Sequence, residues 1–329
     1  MVSTTTSRSI AGLSVLVATA LIAGCSSAED GTVDSGSSTE ATTTQSKEGF
    51  PVTVTFAPEA PVTIEDQPER IVSLSPAITE TLFAVGAGDH VVAVDEYSNY
   101  PEDAPLVQGL SGFTPNVESI LDYDPDLVVL MSADDSILTG LDAAGVDTLV
   151  IPAAENLDET YSQIEQVGRA TGFEDQATTV VDQMKTAIDA AVATVPEEVK
   201  EQGLTYFHEL GSDLFTVSEQ TYIGQIYDMF GLTSIADGGD AYSQLSNEAI
   251  IAANPDLIFL SDAKAENLTA EDIAARPGWD TIDAVANGRI YILDDDIASR
   301  WGPRVSQLVE EIAAQLNQLA SSEAVPAAA

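Results

Sequence analysis

Cysteine and basic residues are both scarce in this chain. Cys25 is the only cysteine in 329 residues, which excludes an intrachain disulfide. Lys and Arg number 11 against 54 Asp and Glu, and the formal net charge is −43. So few bases cannot neutralise a phosphate backbone, and we therefore exclude a nucleic-acid-binding protein. The acidity indicates a solvated surface typical of secreted or salt-adapted proteins, because net charge governs solubility more than chemistry.

Motifs of several enzyme and metal-site classes are also missing. The sequence has no Gly-x-Ser-x-Gly nucleophile motif and no phosphate loop. Its two histidines, His90 and His208, lack the spacing of a metal-ligand cluster, and we interpret them as structural residues that begin and end a strand. We predict no catalytic residues, no resident cofactor and no metal site. A secreted hydrolase-like enzyme stays an alternative, because acids are too numerous for a count to reveal a glycosidase-like pair.

The N-terminus has the pattern of an export signal. Arg8 precedes an apolar run over residues 10–23 that is too short to cross a bilayer comfortably. The run ends in Leu-Ile-Ala-Gly-Cys, which has the form of a bacterial lipobox and predicts a signal over residues 1–24 with lipidation of Cys25. An ordinary signal with an incidental cysteine is the alternative. We expect an exported protein anchored through Cys25 to the outer face of the cell membrane, with no thiol left for catalysis.

Residues 25–49 form the predicted tether. They consist largely of Ser, Thr, Gly and acids, contain no aromatic residue, and cannot bury a core. As a disordered, flexible coil they would span about 25–30 Å. A globular body can therefore move above the membrane while it stays attached.

The remaining sequence predicts an α/β fold. Short β-branched runs alternate with amphipathic segments, as expected for two Rossmann-like lobes with mainly parallel sheets. Residues 174–195 carry apolar side chains at steps of three and four, which predicts one long helix of roughly 33 Å. The predicted strands are 71–74, 91–94, 127–131 and 148–151, followed by 204–208, 257–260 and 290–293.

The long helix divides the body into lobes. We predict an N-terminal lobe over 50–173, an interlobe helix over 174–196, a C-terminal lobe over 197–320 and a disordered tail over 321–329. This length suffices for two lobes with separate cores. Two lobes joined by a single long α-helix enclose a cleft.

An internal repeat supports the two-lobe prediction. Residues 116–127 resemble residues 246–257, with matched positions 130 residues apart. In each copy a capping residue opens a short helix, a carboxylate lies in its first turn, a proline stops it and an apolar strand follows. Both lobes therefore use the same building unit.

Several motifs in order resemble a known family. They are Arg-Ile-Val-Ser-Leu-Ser-Pro-Ala-Ile-Thr-Glu at 70–80, Val-Gly-Ala-Gly-Asp at 85–89 and Tyr-Ser-Asn-Tyr-Pro at 97–101, with the repeated segment after them. Together they resemble the substrate-binding lipoproteins of ABC importers for cobalamin and ferric siderophores, over about residues 65–320. The resemblance implies two α/β lobes with a rigid interlobe helix, a ligand in the cleft and little domain closure.

The resemblance also implies a protein partner. In that family one glutamate on each lobe forms salt bridges with arginines of the permease dimer, and the matching positions here are Glu118 and Glu248. A carboxylate in the first turn of a helix is favoured by the helix dipole and can accept a bidentate arginine bond. The alternative is that both acids only stabilise their helices.

Candidate ligand contacts fall in loops. The carboxyl ends of parallel strands line the crevice of an open α/β sheet, which predicts Ser75, Tyr97 and Asn99 as contacts. The resemblance adds Phe113 and Tyr242, the nearest counterparts of aromatic residues that flank cobalamin. Aromatic rings offer large, rigid apolar surfaces, but ordinary loop packing is an equally good interpretation of each.

The segment after the last predicted strand supplies two further candidates, Arg300 and Trp301. An arginine beside a tryptophan can hydrogen-bond a polar group of a ligand while it packs on an apolar face. For Arg304, an ion pair with an aspartate that fixes the loop is nearly as well supported. We interpret residues 294–296, three consecutive aspartates, as a solvated turn or helix-start cluster and not as a metal site.

Charge narrows the choice of ligand. Anionic catecholate or citrate complexes usually need several convergent bases, and loss of Arg8 with the signal leaves only ten of the 11. We therefore expect a protein that binds cobalamin or a neutral to cationic hydroxamate chelate and delivers it to the permease. We also expect it to be a monomer. A signalling or adhesive surface lipoprotein is the remaining alternative.

Overall fold

Residues 49–323 are described by a computed structural model. The predicted signal, Cys25, the tether up to residue 48 and residues 324–329 lie outside the described range. Within it, no helix combines the length and apolar character that a membrane span requires. The strands are β1 (Val52–Val54), β2 (Val62–Ile64), β3 (Ile71–Leu74), β4 (Val91–Val94), β5 (Leu127–Leu130), β6 (Asp147–Val150), β7 (Thr205–Glu209), β8 (Phe215–Val217), β9 (Thr233–Ser234), β10 (Tyr242–Gln244), β11 (Leu257–Leu260) and β12 (Ile290–Ile292). The helices are α1 (Pro76–Ala84), α2 (Val117–Leu121), α3 (Asp135–Ala143), α4 (Leu157–Thr171), α5 (Glu174–Thr194), α6 (Glu197–Lys200), α7 (Tyr222–Asp228), α8 (Asn247–Ala253), α9 (Ala263–Glu266), α10 (Ala270–Ala274), α11 (Asp283–Ala286), α12 (Asp295–Ser299) and α13 (Val305–Glu323).

The first lobe is built on a parallel sheet in the order β4-β3-β5-β6. All four residues of β5, Leu-Val-Val-Leu, are buried, as expected for a strand covered on both faces. Val128 and Leu130 pack with Ile120 of α2 on one face. Leu127 and Val129 belong to the core on the other face, which α1 and α4 cover. The continuous apolar run therefore reflects helices on both sides of the sheet.

The second lobe repeats this topology. Its parallel sheet has the order β12-β11-β7-β9, so in both lobes the first strand lies between the second and the third. The repeated sequence segment forms α2 before β5 and α8 before β11. Asp126 accepts hydrogen bonds from the backbone N–H groups of Glu69 and Arg70, and Asp256 accepts one from Thr205, so each aspartate ties the third strand to the start of the first. The predicted α/β class with two lobes and parallel sheets is confirmed.

The long helix α5 packs against α4 and α13. Its buried residues, Ala177, Val181, Met184, Ile188 and Ala191, recur on one face. They belong to a single apolar core that continues from the inner face of the first sheet to the inner face of the second. Each lobe also has a core of its own on the other face of its sheet, so the two expected cores are present and the shared core is a third that was not predicted.

The element boundaries differ from the predicted ones in small ways. The seven predicted strands are present to within one residue at each end, and His90 lies in a short 3-10 turn, Gly88–His90, just before β4. Helix α5 ends at Thr194 because Val195 precedes Pro196 and adopts an extended conformation. Helix α13 continues to Glu323, past the predicted boundary at residue 320. Two antiparallel pairs, β1 with β2 and β8 with β10, were not predicted because each strand has only three residues.

Asp262 is an unpaired buried acid of the second lobe. It follows β11, is 5% exposed, and neither of its carboxylate oxygens has a hydrogen-bond partner among the described residues. Burial, with a smaller contribution from the negative charge of Glu209, raises its pKa to about 6. The charged form of this side chain therefore destabilises the fold at neutral pH.

We predict that Asp262→Asn stabilises the protein in a pH-dependent manner. The folded state holds the Asp262 proton more tightly than the unfolded chain, whose value is near 3.8. Protonated Asp262 therefore makes its full contribution to the free energy of unfolding below about pH 4. This contribution is lost as the pH rises through about 6. At pH 7.5 the substitution should raise the free energy of unfolding by about 3 kcal/mol, and near pH 4 it should have little effect. Urea denaturation at both pH values measures this, with the exposed Asp280→Asn as control; equal stability of Asp262→Asn and the wild type at pH 7.5 would contradict it.

Candidate ligand-binding site

A cavity of ≈ 660 Å³ lies at the carboxyl ends of the first lobe's strands. This edge of an open parallel sheet is where ligands bind in α/β proteins. The second lobe closes one side of the cavity with the end of α12 and the residues that follow it. The lining residues that directly follow strands are Ser75 and Pro76 after β3, Asp95 after β4, Met131 and Ser132 after β5, and residues 151–154 after β6.

Two exposed aromatic rings form the mouth of the cavity. Tyr97 is 53% exposed and Phe113 is 78% exposed, and the rings meet edge to face with 5.7 Å between their centroids. Trp301 lines the same cavity and is held by Tyr222, on which it stacks at 4.2 Å. Exposed aromatic surface beside a largely apolar cavity is typical of a site that binds a ligand with a broad apolar face.

Gly112 allows the Phe113 loop to approach the sheet. A Cβ atom at this position would lie 2.2 Å from the carbonyl oxygen of Leu74 and 2.9 Å from Oδ2 of Asp95. Any side chain there would push the loop away from the end of β3. The absence of a side chain therefore sets the position of Phe113 at the cavity mouth.

A buried ion cluster joins the lobes beside this cavity. Glu80 of α1, with a side chain only 1% exposed, accepts hydrogen bonds from Arg300 Nη1 at 3.0 Å and from Arg304 Nε and Nη2 at 2.8 and 2.5 Å. The Arg304 guanidinium also lies 4.2 Å from the ring centroid of Tyr100. Burial lowers the pKa of Arg304, but the hydrogen bond and charge of Glu80 outweigh it, and the pKa is raised. We refer to Glu80, Arg300 and Arg304 as the interlobe cluster.

Arg300 is committed to protein partners. Besides Glu80, its terminal nitrogens donate to Asn99 Oδ1 at 2.7 Å, to the Tyr97 carbonyl oxygen at 3.1 Å and to Asp296 Oδ1 at 2.8 Å. Arg300 lines the cavity, yet these four hydrogen bonds direct its terminal nitrogens away from a ligand. Arg300 therefore holds the Tyr97 loop against the second lobe. The ion pair expected for Arg304 exists, but its partner is Glu80 and not an aspartate.

The predicted ligand contacts divide into two groups. Asn99 is not a lining residue, because its side chain bridges Arg300 and Asp296. Tyr242 is exposed in β10, where it pairs with Val217 of β8, and does not line the cavity. The structure brings together at the cavity Ser75, Tyr97, Phe113, Arg300 and Trp301.

Other lining residues were missed by sequence reasoning. Asp95 directly follows β4 and Met131 directly follows β5, so the strand-end rule that selected Ser75 could also have found them. Gln163 of α4 lines the cavity too, and only the packing of α4 against the sheet reveals it.

Glu118 and Glu248 occupy equivalent places in the two lobes. Each is exposed at the second residue of its helix, α2 or α8. Asn116 caps α2 by accepting from the Ser119 N–H at 2.9 Å, and Ser246 caps α8 in the same way. Neither glutamate carboxylate pairs with another described residue, so both are available to a partner.

The histidines and the aspartate run have structural partners. His208 is fully buried, with its ring nitrogens 2.8 Å from the Tyr227 hydroxyl and 3.0 Å from Ser261 Oγ, and burial lowers its pKa to about 3. Asp294 caps α12, and Asp295 and Asp296 lie in its first turn, as a helix-start cluster does. Across residues 49–323, no group of three or more metal-ligating side chains is placed to hold an ion.

Known proteins with similar sequences and folds are binding proteins. A family described as periplasmic binding protein matches residues 71–297. The chain is 32% identical to YvrC, an uncharacterized ABC transporter substrate-binding lipoprotein of Bacillus subtilis, over 91% of this chain and 94% of that protein. It is 29% identical to a cobalamin-binding protein of Halobacterium salinarum, over 80% of this chain and 73% of that protein. The fold matches the periplasmic heme-binding protein RhuT of Roseiflexus with a TM-score of 0.68 at 27% identity, over 77% of this chain and 99% of RhuT.

We predict that Glu80→Gln destabilises the fold through the interlobe cluster. The substitution keeps the shape of the side chain but leaves two mostly buried arginines without their shared carboxylate. Loss of one partner from a buried ion pair typically costs about 3–5 kcal/mol, and we expect a loss in this range from chemical denaturation. Glu102→Gln, at an exposed position, is the control. A Glu80→Gln free energy of unfolding within about 0.5 kcal/mol of wild type would show that the cluster does not hold the lobes together.

Proposed function

Because the chain belongs to the periplasmic binding protein family, we propose that it captures a metal chelate outside the cytoplasm and delivers it to an ABC importer permease. The observation that carries this proposal is the cavity at the strand ends, with two exposed aromatic rings at its mouth and a second-lobe wall fixed by the interlobe cluster. We assign no catalytic step to it.

A cobalamin-type ligand agrees best with the chemistry of the cavity. The lining is largely apolar, and its one arginine, Arg300, already donates to four protein acceptors. An anionic chelate would therefore lose hydration without gaining a free cation. A neutral macrocycle can place one edge in the cavity and its apolar face against Tyr97 and Phe113. Two relatives, in Halobacterium salinarum and Vibrio cholerae, are named for binding cobalamin or vitamin B12. A hydroxamate siderophore of neutral or positive charge shares these properties.

Delivery requires an anchor and a docking surface. We propose that Cys25 carries the lipid, that residues 25–49 tether the body, and that Glu118 and Glu248 bind arginines of the permease. The two exposed, unpaired carboxylates at matching positions of a repeated topology support this assignment. One docking point on each lobe suits a permease built from two equivalent halves.

We predict saturable binding of a chelate and a contact at Phe113. Cyanocobalamin, ferrichrome and ferrioxamine B are titrated into the mature protein, and binding is followed by calorimetry and by tryptophan fluorescence. At least one should bind with a Kd below about 10 μM. Phe113→Ala should then weaken binding about tenfold, because it removes an aromatic contact at the mouth.

Tyr242→Ala is the matched control for Phe113→Ala. Tyr242 is also an exposed aromatic residue, but it lies outside the cavity lining and its loss should leave the Kd unchanged. If no chelate binds below about 10 μM, the metal-chelate proposal is to be abandoned. If Tyr242→Ala weakens binding as much as Phe113→Ala, the ligand does not lie where we place it.

We predict that Glu118→Ala and Glu248→Ala reduce uptake without reducing affinity. Both side chains are solvated in the free protein, and their loss should leave ligand Kd and unfolding temperature unchanged. In cells that depend on the importer, each should lower the initial rate of uptake by about tenfold, since a desolvated ion pair loses one partner. Glu271→Ala removes an exposed first-turn glutamate from another helix, α10, and should have no effect. Weaker ligand binding by the purified glutamate variants would contradict a docking function.

A further inference from the structure

The charged side chains that line the cavity do not all have an ion-pair partner. Four ionisable side chains line it: Asp95, Tyr97, Asp296 and Arg300. Asp296 and Arg300 pair with each other at 2.8 Å, and Asp296 also pairs with Lys264 at 3.0 Å. Among residues 49–323, Asp95 forms no ion pair within 4.0 Å with any base. It is the lining carboxylate that has no ion pair of its own, although the charge of Arg300 acts on it from a greater distance.

Asp95 is held rigidly by the backbone. Its side chain is almost fully buried, with 2% of the residue exposed, and Oδ1 accepts hydrogen bonds from the N–H groups of Tyr97 at 3.0 Å and Ser98 at 2.8 Å. Both backbone bonds go to the same oxygen. Oδ2 lies on the side of Gly112, another lining residue, which has no side chain to cover it. Burial raises the pKa of Asp95, although the Ser98 side chain, the two backbone N–H groups and the charge of Arg300 act in the opposite direction.

We propose that Asp95 is the residue that selects the ligand by charge: its Oδ2 accepts a hydrogen bond from an N–H group of a neutral or cationic chelate and repels chelates that carry carboxylates. This inference rests on the proposed function and names the class of ligand. The donor would be a primary amide on a corrin ring or an ammonium on a siderophore.

The energetics of a partly desolvated site favour this selection. A hydrogen bond from an amide to an ionised acceptor is roughly twice as strong as one between neutral groups. A ligand carboxylate in the same place would meet a like charge in a medium of low dielectric, and Arg300 has no terminal nitrogen free to compensate it. Asp95 therefore favours a ligand that presents an N–H donor and disfavours a ligand that presents a carboxylate.

Two matched pairs of probes test the inference. The first pair is cyanocobalamin, which is neutral, and its separated monocarboxylic acids, in which one side-chain amide is hydrolysed. The second is ferrioxamine B, which carries a terminal ammonium, and its N-acetyl derivative, which does not. Calorimetry at pH 7.5 gives the Kd of each probe for wild type, Asp95→Asn and Asp280→Asn, and thermal unfolding checks that each variant is folded.

Wild type should bind cyanocobalamin at least tenfold more tightly than one of its monocarboxylic acids, or ferrioxamine B at least tenfold more tightly than the N-acetyl form. Asp95→Asn keeps an oxygen for the two backbone donors and should reduce that ratio to about threefold or less. Asp280→Asn changes an exposed carboxylate outside the cavity lining and should retain the tenfold ratio.

Three outcomes would contradict the inference about Asp95. Equal wild-type affinities within both pairs would overturn the inference even if Asp95→Asn does not fold. A tenfold ratio that persists in folded Asp95→Asn would also overturn it, while the proposed function would stand. No binding of any probe to wild type would reject the proposed function, and the inference with it.

Discussion

The cavity depends on one buried carboxylate, Glu80, which holds two arginines of the other lobe. Its side chain is 1% exposed and lies in α1, directly after the strand that ends at the cavity floor. Arg304 binds it through two nitrogens, and Arg300 connects it to the Tyr97 loop. A charge in this environment is tolerated only while its partners stay in place. The position of the aromatic mouth relative to the second lobe therefore follows from this cluster.

The shared apolar core also fixes the two lobes relative to each other, through burial of apolar surface. The inner faces of both sheets, α5 and α13 form one continuous set of buried residues. A large rotation of one lobe against the other would expose that surface to water, at about 25 cal/mol for each Å² of apolar area. We therefore expect a preformed cavity with little closure. If so, ligand selection rests on the shape and charge of the resting state and not on a closed state assembled around the ligand.

The two lobes have the same strand order but use their strand ends differently. In the first lobe the ends of all four parallel strands line the cavity. In the second lobe, residues at the ends of β7 and β11 bind other residues of the protein instead. Glu209, at the end of β7, binds both terminal nitrogens of Arg276, and Ser261, after β11, binds the buried His208. The same topology thus leaves these strand ends open to the cavity in the first lobe and pairs them with other residues of the protein in the second.

The sequence by itself determined the local architecture. Apolar runs located seven of the eight parallel strands to within one residue and missed only the two-residue β9. Spacing at three and four located α5, and the repeated segment located two equivalent capped helices with their exposed glutamates. These patterns are legible because strand and helix periods act between neighbouring residues. The candidate contacts that follow strands, such as Ser75 and Tyr97, came from the same kind of pattern.

Only the tertiary structure decided which side chains meet across the cavity. Arg300 stands beside a tryptophan in sequence, as a ligand contact would, yet its partner Glu80 lies 220 residues away. Tyr242 matches an aromatic position of the family, but an antiparallel pair of very short strands holds it outside the cavity lining. Asp95 was not predicted from the sequence, because its lack of an ion pair is visible only once the bases around the cavity are known to be paired elsewhere. Long-range pairing depends on which surfaces the packed lobes bring together, and no local period encodes that choice.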